Sequence, residues 1–287
     1  MKRFMSVQRQ NRFKGYLFVS PWIIGFLLFT LYPIVYSVLI SLNSIQVAPG
    51  NIAMEWKGLE FYNRALNLDP GFKIDLGSTV FFIVCATPLI LVFALIIALL
   101  LNGKYRFRTF FRAVFFLPVI IMSGPVISKL LTQHTVDFIS GSPILYSFVQ
   151  SLPSILSTPV MFILNNLVLI LWFSGVPILI FLSGVQKISP DLYEAAEIDG
   201  AGGWEKFWKI TLPHLQPFAV ICTVYTIIDL ASYPNNAMNQ RIANYMFSFD
   251  VLYSYSSAMA WMYFVVIAVI LSAAYFLFVI FGRRSRR

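Results

Sequence analysis

Charged side chains are scarce in this sequence. They make up 11% of its 287 residues, against about 25% in soluble domains, and only twelve of them are acidic. The chain is instead 59% hydrophobic, with 28 phenylalanines. One core could not hide so much apolar surface, because a domain of about 300 residues still leaves roughly a quarter of its surface exposed. A soluble globular protein is thereby excluded, and an integral membrane protein remains. Cysteine is sparse too. Cys85 and Cys222 both lie inside apolar runs, where free thiols behave as small hydrophobes, so no disulfide framework is expected. Neither a Gly-x-x-x-x-Gly-Lys phosphate loop nor a Gly-x-Ser-x-Gly elbow occurs, and the chain itself is not expected to be an enzyme or to hold a cofactor. The net charge of +9 would suggest nucleic acid in a soluble protein, but the basic residues flank apolar runs and do not form aromatic-interleaved patches.

What is present is a series of long apolar runs. A helix needs about 20 apolar residues to cross a hydrocarbon layer of roughly 30 Å. Six segments meet that length, at 16–41, 79–101, 110–131, 159–183, 215–234 and 258–282. The stretch 143–156 is too short to span and is placed on the outer surface or as a re-entrant piece. The first run is too long for a signal-peptide core and is expected to remain as an anchor. Basic residues fix the orientation, since they stay on the cytoplasmic side. With the N-terminus inside, the cytoplasmic segments hold sixteen Lys and Arg, among them Lys2, Arg3, Lys104, Arg106, Lys187, Lys206, Lys209 and Arg283. The outer segments hold four, Lys57, Arg64, Lys73 and Arg241. The expected fold class is therefore all-α and polytopic, with six transmembrane helices and both termini cytoplasmic. Its parts are a basic arm at 1–15 that touches lipid headgroups, a membrane domain at 16–282, and a basic tail at 283–287. This topology puts His134 outside and His214 inside, so the two histidines cannot form a metal pair or a dyad.

The most informative stretch is the cytoplasmic segment 184–214. Ser189 suits an N-cap and Pro190 the first helical position, while Asp191, Glu194 and Glu197 lie toward the positive end of the helix dipole. Gly200 then closes a helix of about ten residues in a left-handed conformation. Ala195 and Ala196 leave one side almost without side chain, open to close approach by another protein, with Glu194 at the rim. A second short helix at 204–210 follows Gly202 and Gly203, and Pro213 is expected to end it before the fifth span. Its Trp204, Phe207 and Trp208 suit the membrane interface. On these physical grounds alone, an amphipathic connector without a partner is the competing reading.

The spacing Glu194-Ala195-Ala196, Gly200, Ile210, Leu212-Pro213 resembles the EAA motif of the membrane permeases of binding-protein-dependent ABC importers. Pro21-Trp22-Ile23-Ile24-Gly25-Phe26 with Leu31-Tyr32-Pro33, Phe111-Arg112 with Leu117-Pro118, the whole of 183–217, and Ala258-Met259-Ala260-Trp261 are similar to the sugar-importing branch of the maltose and oligosaccharide type. Two departures stand out. Tyr233-Pro234-Asn235-Asn236-Ala237-Met238-Asn239 replaces the usual Gly-Gly-Pro after the fifth span, and the usual Trp and Gly-Asn pair after the third is missing. The resemblance implies a type I importer permease in a bacterial cytoplasmic membrane. Its implied partners are a second homologous permease, two ATPase subunits that bind ATP and Mg, an extracytoplasmic solute-binding protein and a carbohydrate substrate. It also implies that Tyr193, Glu194, Ala195, Ala196, Asp199, Gly200, Ala201, Ile210, Leu212 and Pro213 couple the chain to an ATPase, so that a bulky residue at Ala196 or charge reversal at Glu194 would abolish transport. An importer of another polar solute, or a stand-alone transporter or channel, is the rival assignment, although no inverted repeat is evident.

Asp229 is the only acidic residue inside the six segments, and intramembrane carboxylates usually face a bundle interior or an aqueous path. Cys222, Thr226 and Tyr233 share its helical face at spacings of three or four. The resemblance extends a substrate path from these residues to Trp172, Phe173 and Gly175 on the fourth span, where aromatic faces and polar partners would suit a sugar. Two readings of Asp229 stand open: it lines the path, or it merely pairs with a neighbouring helix or sits near the outer water boundary. For Trp172, Gly175 and the Asn165-Asn166 pair, interhelical packing is the competing role. In the outer segment 43–78, Trp56, Phe61 and Tyr62 are expected to form a small cap or docking surface.

Overall fold

A computed structural model describes residues 7–48, 51–103, 143–246 and 252–284. The expected third span at 110–131, with Phe111-Arg112 and Leu117-Pro118, and His134 lie outside the described residues. The described residues are mostly helical. Among the described residues, four helices are long and apolar enough to cross a membrane, at Lys14–Leu42, Pro70–Asn102, Gly203–Ser232 and Tyr253–Phe278, and a bent pair at Ser154–Asn165 and Leu167–Phe173 makes up to five. Contacts divide the chain into two units, residues 1–74 with 241–264 and residues 75–240 with 265–287.

The first unit opens with α1 (Val7–Phe26), a π-helical turn at Leu27–Leu31 and α2 (Tyr32–Leu42). None of the apolar window in this first span is buried within the chain. The all-α expectation did not include the hairpin that follows. β1 (Asn43–Ala48) pairs antiparallel with β2 (Asn51–Trp56), Asn43 opposite Trp56. Pro49 and Gly50, a turn signal in the sequence, lie outside the described residues. A short α3 (Glu60–Asn63) and a second π-helical turn at Arg64–Leu68 lead to Asp69.

Of the residues expected to cap this segment, Phe61 is buried beside Tyr255 and the Tyr62 hydroxyl lies 2.7 Å from Ser41 Oγ, whereas Trp56 is exposed. Asp69 is the hub. It caps the next helix by accepting from the Phe72 N–H at 3.1 Å, it accepts the Tyr255 hydroxyl at 2.8 Å, and it pairs with Arg241 at 3.4 Å. Pro70 occupies the first helical position, where its missing N–H costs nothing. This capped start explains why α4 (Pro70–Asn102) begins nine residues before the expected 79.

The second unit is built on α4 from residue 75 onward, with α5 (Pro143–Gln150), α6 (Ser154–Asn165), α7 (Leu167–Phe173) and α8 (Gly175–Val185). The fourth span, expected as one helix at 159–183, is broken. α6 and α7 meet at 59°, because Asn166 leaves the helical region and its side-chain amide donates to the Phe162 carbonyl at 2.8 Å. Ser174 then separates α7 from α8, its hydroxyl donating to the Leu171 carbonyl. Pro177 has no N–H for the Phe173 carbonyl, which accounts for a break at this point. The short stretch at 143–156 forms α5 and the start of α6. α8 packs against α11 (Leu212–Ser232), and a core of Ala94, Ala98, Leu101, Ile178, Phe181, Leu182 and Cys222 joins them to α4. α12 (Ala237–Met246) and α13 (Leu252–Arg284) complete the described chain.

Burial alone would push the Asp69 carboxyl up. The Tyr255 hydroxyl, the Phe72 and Gly71 N–H groups and the Arg241 charge together outweigh it and hold the carboxyl below its ordinary value. A depressed carboxyl contributes stability above its unfolded value of about 3.9 and loses it as pH falls through the folded value. Asp69→Asn is expected to lower the melting temperature of the detergent-solubilised protein at pH 7 and to flatten its decline below about pH 4. Parallel melting curves for the two proteins across that range would rule out the role.

Candidate functional site

The motif segment folds as the spacing of its caps demands. α9 (Pro190–Ile198) starts after Ser189, although the Ser189 hydroxyl makes no capping bond. It ends in a Schellman arrangement, with the Gly200 N–H donating to the Glu197 carbonyl at 3.0 Å and the Ala201 N–H to the Ala196 carbonyl at 2.8 Å. Gly200 holds φ at +81°, a left-handed conformation that costs glycine alone little. α10 (Gly203–Lys206) follows, capped by Glu205 reaching back to the Gly202 N–H.

Pro213 does not end the helix. α10, a π-helical turn at Phe207–Thr211 and α11 run on as one helix from Gly203 to Ser232. In an α-helix, the Pro213 ring would clash with the carbonyl four residues back. The widened turn shifts the bonding by one residue instead, so that the Leu212 N–H donates to the Phe207 carbonyl. The same device precedes Tyr32-Pro33, where the Tyr32 N–H donates to the Leu27 carbonyl, and Asp69-Pro70, where the Asp69 N–H donates to the Arg64 carbonyl. Each of these π-turns ends two residues before a proline.

The ten motif residues separate by exposure. Glu194, Ala195, Asp199 and Gly200 are exposed, and they share α9 with the solvent-facing apolar side chains Leu192 and Ile198, the latter 87% exposed. Tyr193, Ala196 and Ala201 are half-buried. The open small-residue position is therefore Ala195, and a bulky residue at Ala196 would press on the chain's own packing. Ile210, Leu212 and Pro213 are half-buried at the foot of α11, where Leu212 and Pro213 line an apolar cavity of about 530 Å³ with Pro88, Leu95, Phe181 and Trp208. Two side-chain links tie α9 to the helix that follows. The Tyr193 hydroxyl lies 2.9 Å from Thr211 Oγ1, and Lys206 Nζ lies 2.6 Å from Glu197 Oε1. Trp204, Phe207 and Trp208 pack on one another, and Trp204 is 74% exposed, as an interfacial cluster requires.

The residues expected along a substrate path meet, but most of them meet as packing. Phe173 and Tyr233 are both buried with their rings edge to face at 5.4 Å. Gly175 is buried, and Cys222 is fully buried with its thiol toward the Pro177 carbonyl. The Thr226 hydroxyl and the Trp172 Nε1 are buried without a hydrogen-bond partner among the described residues, and Asp229 is half-buried.

A second cavity of about 220 Å³ is more polar and was not singled out from the sequence. It is lined by Ser78, Thr79, Asn166, Asn235 and Asn236, with Phe82 and Tyr233 supplying rings. The asparagine run that replaces Gly-Gly-Pro terminates α11. Asn236 donates to the Leu230 and Ala231 carbonyls, Asn239 to those of Ala231 and Tyr233, and the Asn239 N–H returns to Asn236 Oδ1. Among the described residues, no cluster of three potential metal ligands occurs.

The arrangement is thus one of long apolar helices with a capped helix at the foot of one of them. No protein-family model matches the chain. A probable ABC transporter permease protein of Bacillus subtilis is 30% identical over 94% of this chain and 91% of its own length. The arabinooligosaccharides transport system permease protein of Halalkalibacterium halodurans is 31% identical over 79% and 71%, and the lactose transport system permease protein of Rhizobium radiobacter 28% identical over 92% and 94%. The chain belongs to the family of ABC transporter permease proteins. Its fold is also that of a chain in the bacterial alginate ABC transporter complexed with an alginate-loaded periplasmic protein, at a TM-score of 0.64 with 19% identity, covering 92% of this chain and 93% of that one.

The base of the motif loop depends on one close approach. A Cβ on Gly184 would stand 2.8 Å from Leu215 Cδ2 and from the Phe218 ring, closer than side chains in a packed interior tolerate. Gly184→Ala should cost about 1–3 kcal/mol through overpacking, read as a lower melting temperature of the purified protein. An unshifted transition would mean that α8 and α11 are not so closely apposed.

Proposed function

We propose that this chain is one of two homologous permease subunits of an ATP-driven importer for an oligosaccharide or disaccharide. Six helices cross a bacterial cytoplasmic membrane, both termini face the cytoplasm, the arm at 1–15 lies on lipid headgroups, and 16–282 forms half of the translocation path. ATP and Mg are handled by two partner ATPase subunits, and the solute arrives on an extracytoplasmic binding protein. The observation that carries this reading is α9, a capped helix presenting Glu194, Ala195 and Ile198 to solvent at the foot of a long apolar helix. An isolated nine-residue helix is marginal in water, and an exposed isoleucine on it suits a cleft in another protein. The names of the relatives, which concern arabinooligosaccharides and lactose, support a carbohydrate as the solute.

The importer isolated through a tag on this chain is expected to contain a nucleotide-hydrolysing subunit. Glu194→Lys and Ala195→Trp should each reduce recovery of that subunit about tenfold and stop uptake of labelled oligosaccharide, with the amount of chain in the membrane unchanged. Normal recovery and uptake in both variants would remove the coupling assignment.

For the solute path, the polar cavity at Ser78, Thr79, Asn166 and Asn235 offers hydroxyls and amides beside the Phe82 and Tyr233 rings, the chemistry a sugar requires. Asp229 belongs to the same path on the half-buried side of α11. Asn235→Ala and Asp229→Ala should raise the KM of uptake while leaving assembly intact, and unchanged uptake kinetics would retire the position concerned.

A further inference from the structure

The corner between α9 and the long helix that follows is a poor transmitter of force. It consists of Gly200, Ala201, Gly202 and Gly203, and a side chain at any of the three glycines would meet nothing within 4 Å. Backbone so free and so unpacked would let α9 swing. Among the described residues, two side-chain links tie α9 to the helix beyond this corner, and they differ in kind. Glu197, in the ion pair with Lys206, is 63% exposed at its side chain, and exposed ion pairs hold geometry weakly. Thr211, by contrast, is buried, with 5% of its surface accessible.

The widened turn determines what the Thr211 hydroxyl does. Thr211 Oγ1 lies 3.3 Å from the Lys206 carbonyl, five residues back, and donates to it. A hydroxyl has one hydrogen, so at 2.9 Å the Tyr193 hydroxyl is the donor to Thr211 Oγ1. Tyr193 O–H, Thr211 O–H and the Lys206 carbonyl thus form a relay that bridges eighteen residues of sequence and bypasses the glycine corner. Tyr193 is the half-buried neighbour of exposed Glu194, so a movement imposed on the outer face of α9 reaches it at once.

We propose that Tyr193 and Thr211 are positioning residues for energy coupling: their hydroxyl pair is the strut through which displacement of the motif helix tilts the fifth span, and the glycine corner is the joint it stiffens. This rests on the importer reading above. The test uses the intact complex in proteoliposomes loaded with ATP, measuring solute imported per ATP hydrolysed. Tyr193→Phe and Thr211→Val, which each remove one hydroxyl and little volume, should lower that ratio about fivefold, the effect of one neutral hydrogen bond. Thr211→Ser, which keeps the hydroxyl, should restore it, and the double variant should be no worse than either single one because both break the same link. Import per ATP equal to wild type in both single variants, or a double variant whose defect is the product of the two, would overturn the strut. If wild-type complex imports solute without hydrolysing ATP, the importer reading itself fails, and that result cannot be confused with variants that match a coupled wild type.

Discussion

Inside a membrane a backbone must find its own partner for every N–H and C=O, and each proline within a helix removes one of the donors. Pro21, Pro88, Pro159 and Pro217 lie inside helices. Before Pro33 and Pro213, whose rings would press on the preceding turn, the chain widens that turn by one residue, at Leu27–Leu31 and Phe207–Thr211. Elsewhere side chains intervene, as when Asn166 and Ser174 bond the carbonyls of the preceding turn and Asn236 and Asn239 gather those at the end of α11. Bends, breaks and ends of the apolar helices follow from where these substitutions for regular bonding fall.

The motif loop obeys the same logic. Because the helix does not stop at Pro213, the segment bearing Trp204, Phe207 and Trp208 is the first part of a span and not a separate piece lying beside it. Because the turn at Phe207–Thr211 is wide, the Thr211 hydroxyl finds both a carbonyl and a tyrosine. Glu194 and Ala195 belong to the exposed face of α9, while Tyr193 and Ala196 are half-buried against the rest of the chain.

Much of this was legible in the sequence. Apolar length located the spans at Lys14–Leu42, Pro70–Asn102, Gly203–Ser232 and Tyr253–Phe278, and the order Ser189, Pro190, Gly200 gave the bounds of α9 to within a residue. Three things were not legible. The early start of α4 depends on Asp69 serving as a cap and being held by Arg241 and Tyr255, residues that are distant in sequence. The break at Asn166 depends on a side chain turning back on its own backbone, which apolar periodicity does not register. The reading of Pro213 as a stop applied a rule that holds for regular helices and fails where the preceding turn is π-helical. For the path, the 3.6-residue period sets Cys222, Thr226 and Asp229 on one face of α11, whereas Tyr233 falls in extended backbone just past its end at Ser232, and periodicity does not distinguish a face turned to a neighbouring helix from one turned to a cavity. Ser78 and Thr79 were missed because they lie inside α4, before the start expected at 79 or at it, and Asn235 because it lies between helices.

The unbroken helix from Gly203 to Ser232 has thirty residues, or about 45 Å at 1.5 Å per residue. The hydrocarbon layer occupies only about 30 Å of it. About 15 Å, or ten residues, of this helix is surplus to such a layer, so the end that carries Trp204 and Trp208 and the end that stops at the asparagine cluster cannot both lie inside it.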